Sequence, residues 1–293
     1  SCEIGVKIVT PITGMTFTED TELNQLGYGQ EYQIKYTLEP VDATASLLTW
    51  ASDNPEVISV DKTGKLKVHT TKTASAVITA SYGPVVQNVT VTVADGRFWY
   101  SLGNGLGNGL DNNWYLDGNN ASVVSSDGNK TTVQMGSGYR GDLWLARSGK
   151  GKIVNVTPAD YRYFAIKVGF KSQLVPGKNK PNGCIKLEIF DDGIKKIGPE
   201  YFGTGGDANN RYEILGASEI STTEPNVLYY DLQSKYKTVT PTDWNQVFDL
   251  VQCKFVIADF PETAQTYDLY WIRSFKSIEE LQAFVDSENN TNE

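Results

Sequence analysis

Sugars present apolar C–H faces rimmed by hydroxyls, so a site for them needs a Trp or Tyr platform flanked by Asp, Asn, Gln or Arg. The chain gathers such residues in two stretches. DNNWYLDGNN carries Asp111, Asn113, Trp114 and Tyr115 among side-chain amides, and YRGDLW carries Tyr139, Arg140, Asp142 and Trp144. Trp99, inside the triplet Phe98-Trp99-Tyr100, and Tyr163 complete the ligand-binding candidates, with Trp114 as first choice for stacking. Core packing competes with each of these roles, because large aromatics are usually interior. Trp244 and Trp271 are expected in the core, Trp99 can serve a domain junction, and Arg140 and Asp142 can serve only each other.

Catalysis has less to stand on. A glycosidase needs two carboxylates roughly 5 to 9 Å apart. Asp191, Asp192, Asp231 and Asp259 are available, but no strand shows an acid-x-acid pattern that would set two on one face. The chain is read as a non-enzyme with no catalytic residues and no cofactor. Its one histidine, His69, and the lack of a CxxC pair argue against a zinc site. Asp207 to Asn210 and Asp111 to Asp117 hold oxygen ligands without full calcium-loop spacing, so no metal is expected. The Leu-Gly-Asn-Gly repeat in SLGNGLGNGL lacks the Lys-Ser/Thr of a phosphate loop.

Charge and length narrow the partners. With 26 basic and 35 acidic residues, the net charge of -9 repels phosphate-rich polymers, and neither half carries a basic patch. Nucleic acid is therefore not expected as a partner. No apolar run approaches the roughly 20 residues of a membrane-spanning helix. Three cysteines leave at least one unpaired. Cys2 is the natural remainder, and Cys184 and Cys253 either bridge two strands or stand as two buried thiols.

Elements that must position the candidates are strands throughout. In residues 6–94, Tyr32, Ile34, Tyr36 and Leu38 share one face, and Val77 to Ala80 and Val89 to Val93 continue a β-branched pattern. From 95 the composition shifts to Gly, Asn and aromatics, and seven further strand-like runs follow, from TTVQM to YDLYWIRSF. In YRYFAIKVGF, Phe164, Ile166 and Val168 oppose Tyr161, Tyr163 and Lys167. Ser277 and Glu280 form a capping box before a helix with the stripe Ile278, Leu281, Val285. The predicted fold is all-β: an N-terminal Ig-like sandwich over 6–94 after a 1–5 linker, then a larger jelly-roll sandwich over 95–287 ending in a short helix, then a 288–293 tail.

Within LTWASDNPEVISVDKTGKLKV, the residues Trp50, Ser52, Asn54, Val57, Val60, Gly64 and Leu66 resemble the motif of the bacterial Ig-like domains of group 2. Thr73-Ala74-Ser75 departs from the glycine usual before the next strand. The Ser1-Cys2 start resembles a processed lipoprotein junction, with Cys2 as lipid anchor. The WIRSF-KSIEEL ending is similar to an uncharacterised β-sandwich family of surface lipoproteins in Gram-negative gut bacteria. These resemblances imply an outer-membrane, surface-exposed glycan-binding lipoprotein of a polysaccharide-utilisation system, with oligosaccharide or polysaccharide and glycan-uptake transporter components as partners. The alternative is an adhesive or structural surface protein that binds protein.

Overall fold

The structure is a computed structural model that describes residues 9–70, 72–107, 114–117, 121–135, 140–147, 150–151, 154–171, 184–191, 195–196, 212–233, 243–258 and 265–290. The chain divides into two compact units, Ser1–Ala94 and Asp95–Glu293. Both are all-β, and the described α-helix is a single one near the C-terminus.

The first unit contains β1 (Gly14–Phe17), β2 (Leu26–Tyr28), β3 (Glu31–Gln33), β4 (Tyr36–Glu39), β5 (Thr49–Ser52), β6 (Ile58–Val60), β7 (Lys65–Val68), β8 (Ala74–Tyr82) and most of β9 (Val85–Ser101). β5, β8 and residues 85–93 of β9 form one antiparallel sheet, and β3, β7 and β6 form another. Alternation sends Leu66 and Val68 of β7, Ala76 and Ile78 of β8, and Val91 and Val93 of β9 into a shared core with Ile34 and Ile58. Trp50 is half-buried, stacked on Phe17 at 5.8 Å with Tyr36 at 5.5 Å. Gly64 has φ +83°, and a Cβ there would sit 2.6 Å from the Trp50 ring. The glycine of the motif therefore serves both the turn and the close approach of the indole. Val57 and Val60, expected as core, are only half-buried beside the fully buried Ile58.

The second unit adds β10 (Tyr115–Asp117), β11 (Ser122–Ser126), β12 (Thr131–Gln134), β13 (Arg140–Arg147), β14 (Lys150–Gly151), β15 (Val154–Val156), β16 (Tyr163–Phe170), β17 (Cys184–Asp191), β18 (Lys195–Lys196), β19 (Glu213–Ile214), β20 (Asn226–Asp231), β21 (Phe248–Ala258), β22 (Thr266–Phe275) and α1 (Ile278–Asn290). One sheet runs β19-β20-β16-β22, with β12 and β11 continuing it beside residues 266–269 and the end of β9 beside 271–273. The other runs β10-β13-β21-β17-β18. The pairs β13–β21, β16–β22 and β9–β22 are antiparallel and distant in sequence, the wrapping expected of a jelly roll, while β11–β12, β13–β14 and β17–β18 are local pairs. Phe255 of the second sheet meets Phe164 at 5.6 Å and Tyr230 at 5.7 Å from the first, so aromatic rings fill the space between the layers. The last strand, β22, lies inside its sheet, between β16 and β9.

The glycines after Leu102 fold the chain against a hairpin. A Cβ on Gly103 would lie 2.2 Å from the Gly128 carbonyl oxygen at the β11–β12 turn, and the Gly105 amide donates to Thr131 Oγ1 at 3.1 Å. Only a residue without a side chain permits that approach. At α1, the Glu280 amide donates to Ser277 Oγ at 3.2 Å, while the Glu280 carboxylate accepts from the Lys276 amide rather than from Ser277. The helix runs through Asn290, so the expected tail from 288 is helical over its first three residues. Cys184 faces Ala258 and Cys253 faces Ile189 across the β17–β21 pair, five residues apart along the strands, about 16 Å. That is more than twice the Cα reach of a disulfide. Cys253 is a buried free thiol.

Candidate functional site

The first-choice platform is not at the surface. Trp114 is 0% exposed, set edge-on to Tyr100 at 5.8 Å and 5.8 Å from Phe255. It stands immediately before β10, on the inward side of that strand, so the neighbouring Tyr115 falls on the outer face. There Tyr115 lies opposite Trp144, and Trp144 lies opposite Lys254. Lys254 Nζ is 3.1 Å from Asp142 Oδ2 and 4.4 Å from the Trp144 centroid. Three predicted site residues, Tyr115, Asp142 and Trp144, thus do assemble, joined by a lysine that sequence reasoning missed. Asp142, Trp144 and Lys254 are 7%, 8% and 7% exposed, and the ammonium occupies a face of the indole. This row is a packed ion pair on an aromatic, and Trp144 and Asp142 are corrected as open contacts. Asn113, Tyr139 and Cys2 lie outside the described residues, as does the Arg140 side chain. The calcium candidate Asp207 to Asn210 lies there too, as do Asp111 to Asn113, Asp192 and Asp259.

Trp99 is corrected as well, for a different reason. It sits between Arg97 at 4.7 Å and Arg273 at 4.4 Å, with Phe275 at 5.7 Å and Phe284 of α1 at 5.3 Å. The helix is laid on the outer face of the first sheet, where Leu281, Phe284 and Val285 cover Ala165, Val227, Trp271 and Phe275. Helix α1 thereby takes Trp99, Trp271 and Phe275 out of the accessible aromatics of that face. Arg273, 9% exposed, lies under Phe284; burial pulls its pKa down to about 10, and Glu288 Oε1 at 3.9 Å opposes that shift. Glu288 Oε2 also accepts from Trp271 Nε1 and Lys167 Nζ, both at 3.1 Å. Trp244, expected in the core, is half-buried against Phe248.

Polar aromatic groups remain accessible at the two ends of the covered face. At the first end, strand alternation brings Tyr163 of β16 and Tyr229 of β20 to the outer face, half-buried, edge to face at 6.0 Å. Arg162 donates from Nε and an Nη to both Asp231 oxygens, at 2.8 and 2.7 Å, and its guanidinium lies 5.4 Å from the Tyr163 ring. This fork fixes the planes of both groups while leaving the Arg162 and Asp231 side chains 41% and 29% exposed. Glu213, exposed on β19, faces Tyr229 in the register. Burial raises the Tyr229 pKa, with Glu213, Tyr163 and Asp231 adding to it, so the phenol stays protonated and able to donate. The cluster presents a ring pair, a guanidinium and two carboxylates, the group types a sugar face and its hydroxyls require. Of its members the sequence singled out Tyr163 as a ligand contact and Asp231 only as one of several carboxylates; Tyr229 needs the pairing of β16 with β20, some sixty residues on.

At the second end, Tyr270 of β22 is half-buried and is itself the extra residue of a register shift, with Leu269 opposite Val168 and Trp271 opposite Lys167. Lys167 Nζ lies 5.5 Å from its ring. Asp268, 1% exposed at the side chain, accepts from Lys130 Nζ at 2.8 Å, Lys171 Nζ at 2.7 Å and Thr132 Oγ1 at 2.7 Å. Burial works to raise its pKa, and those donors outweigh it and hold the carboxyl below its ordinary value. Asp231, considered for catalysis, is engaged with Arg162. Among the described residues no group of three or more metal-ligating side chains is gathered.

Comparison with known proteins adds one family. No curated protein matches the chain. Among solved structures, the CBM51-2 and INT domains of Clostridium perfringens ZmpB align at 12% identity and TM-score 0.22, over 88% of this chain and 48% of that one. Domains 4–9 of the surface layer protein SbsC align at 14% identity and TM-score 0.21, over 89% and 47%. The chain spans about half the length of these structures, and similarities this low carry no argument about ligand. The model of a domain of unknown function, DUF4979, matches residues 105–281, most of the second unit, and the chain belongs to that family.

Proposed function

We propose that the second unit is a non-catalytic glycan-binding module whose contact surface is the Tyr163–Tyr229 cluster on the helix-bearing sheet. The observation that carries this reading is the accessible tyrosine pair set beside the Arg162–Asp231 fork. Rigid rings with fixed donors and acceptors bind a pyranose at low ordering cost, and no titrating group has to change state. Display at the outer membrane through Cys2, with transporter components of a glycan-uptake system as partners, belongs to the same reading and stands on the sequence resemblances alone.

Affinity electrophoresis through a panel of plant and host polysaccharides tests it. Retardation of the wild-type chain by one class, lost in Tyr229→Ala and without release of reducing ends, is the expected result. No retardation anywhere in the panel, or retardation indifferent to both tyrosines, contradicts it.

The adhesive alternative has one observation in its favour. β11 is exposed at all five residues, Val123 and Val124 are 43% and 55% exposed, and among the described residues β11 pairs only with β12. An open edge of this kind can accept a strand from another chain. Val124→Lys should then abolish self-association or capture of a protein partner while leaving polysaccharide retardation intact.

A further inference from the structure

At the Tyr270 end of the same face, two ammonium groups converge on a single carboxylate oxygen. Lys130 Nζ and Lys171 Nζ lie 2.8 and 2.7 Å from Asp268 Oδ2, so they stand within about 5.5 Å of each other. Thr132 occupies the other oxygen at 2.7 Å, and Asp268 itself is out of water. One buried carboxylate therefore orients two lysines and neutralises one of them. Their side chains are 30% and 54% exposed, and an ammonium has three donors, more than Asp268 alone takes up. Gly169 sits beside them on β16, and an added Cβ there would come within 3.5 Å of both Asp268 and the Tyr270 ring. Lys167, the third lysine at this end, is paired with Glu288. The carboxylate of Asp127 at the β11–β12 turn accepts from the backbone amides of Asn129 and Lys130 at 2.9 and 2.8 Å, and its charge also acts on Lys130, so Lys171 is the ammonium with the most charge left to offer a ligand.

We infer that Lys130 and Lys171, held by Asp268 beside Tyr270, form a subsite for an anionic group on the glycan, so that the polymer bound is an acidic polysaccharide. The inference rests on the glycan-binding reading and narrows its substrate class. A carboxylate or sulfate ester replaces water on two preset ammonium groups while Tyr270 takes the apolar face of the same ring, and paired charged donors discriminate more sharply than a single flexible one. Buried Asp268 is the organising element: without it the two lysines would repel, and with it their spacing is fixed. The net charge of -9 does not prevent this, because at physiological salt charges further than about 8 Å are largely screened.

The test uses matched polymers that differ in charge alone. Polygalacturonate is compared with its methyl ester for a carboxylate, and dextran sulfate with dextran for a sulfate, by affinity electrophoresis of the full chain and of Lys171→Gln. Lys130 still pairs with Asp268 in that variant, and its unfolding midpoint is measured alongside to confirm the fold. One acidic member should be held at least about ten-fold more tightly than its uncharged partner, and Lys171→Gln should lose about ten-fold toward the acidic member and nothing toward the neutral one. Equal binding of charged and uncharged members, or Lys171→Gln behaving as wild type, overturns the anionic subsite. If neutral polymers are retained through Tyr163 and Tyr229 in that case, the glycan reading stands without it. If no polymer of the pairs or of the broader panel is retained, both fall.

Discussion

Tyr229 and Trp114 are both large aromatics of the second unit, yet their environments assign them opposite work. Trp114 is enclosed by Tyr100 and Phe255, so Trp114→Ala should cost about 3–5 kcal/mol of stability, read by chemical denaturation. Tyr229 is half-buried at a surface, and its truncation should appear in affinity first. Cys253 is fully buried and burial pushes its thiol pKa well up, so in the native protein it should resist a thiol reagent that labels it on unfolding. In the first unit, hydrogen bonds to Asp20 from the Tyr32 hydroxyl, Lys35 and the Glu22 amide lower its pKa from 3.8 to about 2. Because the folded value lies below the unfolded one, the stabilisation is complete above about pH 4 and disappears as pH falls toward 2. Asp20→Asn should lose stability at pH 7 and show a flatter acid limb over that window in pH-dependent denaturation.

Helix α1 decides which aromatics are available. Leu281 and Val285 of its apolar stripe were legible, as was the cap in which Ser277 Oγ accepts from the Glu280 amide, but Phe284 was not, Ile278 stands outside the covered cluster, and the Glu280 carboxylate accepts from the Lys276 amide instead. What periodicity does not reveal is where a helix lands. By lying on Trp271, Phe275 and Trp99 it turns an aromatic face into a second core, so an aromatic on the outer side of a strand is not thereby accessible. Glu288, placed by sequence in a tail, ties the helix end to Lys167 and Trp271. Glu288→Ala should cost about 2 kcal/mol, with a Trp fluorescence change reporting release of the Trp271 indole.

Across the whole molecule, local pattern carried the fold further than the site. Strand alternation in β16 was readable because it depends on neighbours in sequence, and the Trp50–Gly64 pair because both lie within one short motif. The accessible clusters depend on register between distant strands: Tyr163 meets Tyr229 only through β16–β20, and Asp268 gathers Lys130 and Lys171 only through β12, β16 and β22. Sealing of Trp144 by Lys254 is equally non-local, since a lysine inside the apolar run CKFVIA gives no hint of its partner. Ligand binding by the Tyr163–Tyr229 pair is the step on which the proposed function depends. Isothermal titration of the polysaccharide identified in the panel against wild type and the Tyr163→Ala/Tyr229→Ala variant tests it most directly. Affinity should weaken by about ten-fold or more, roughly 1.4 kcal/mol, with the unfolding transition of the variant still cooperative. Unchanged affinity in a folded variant would contradict it.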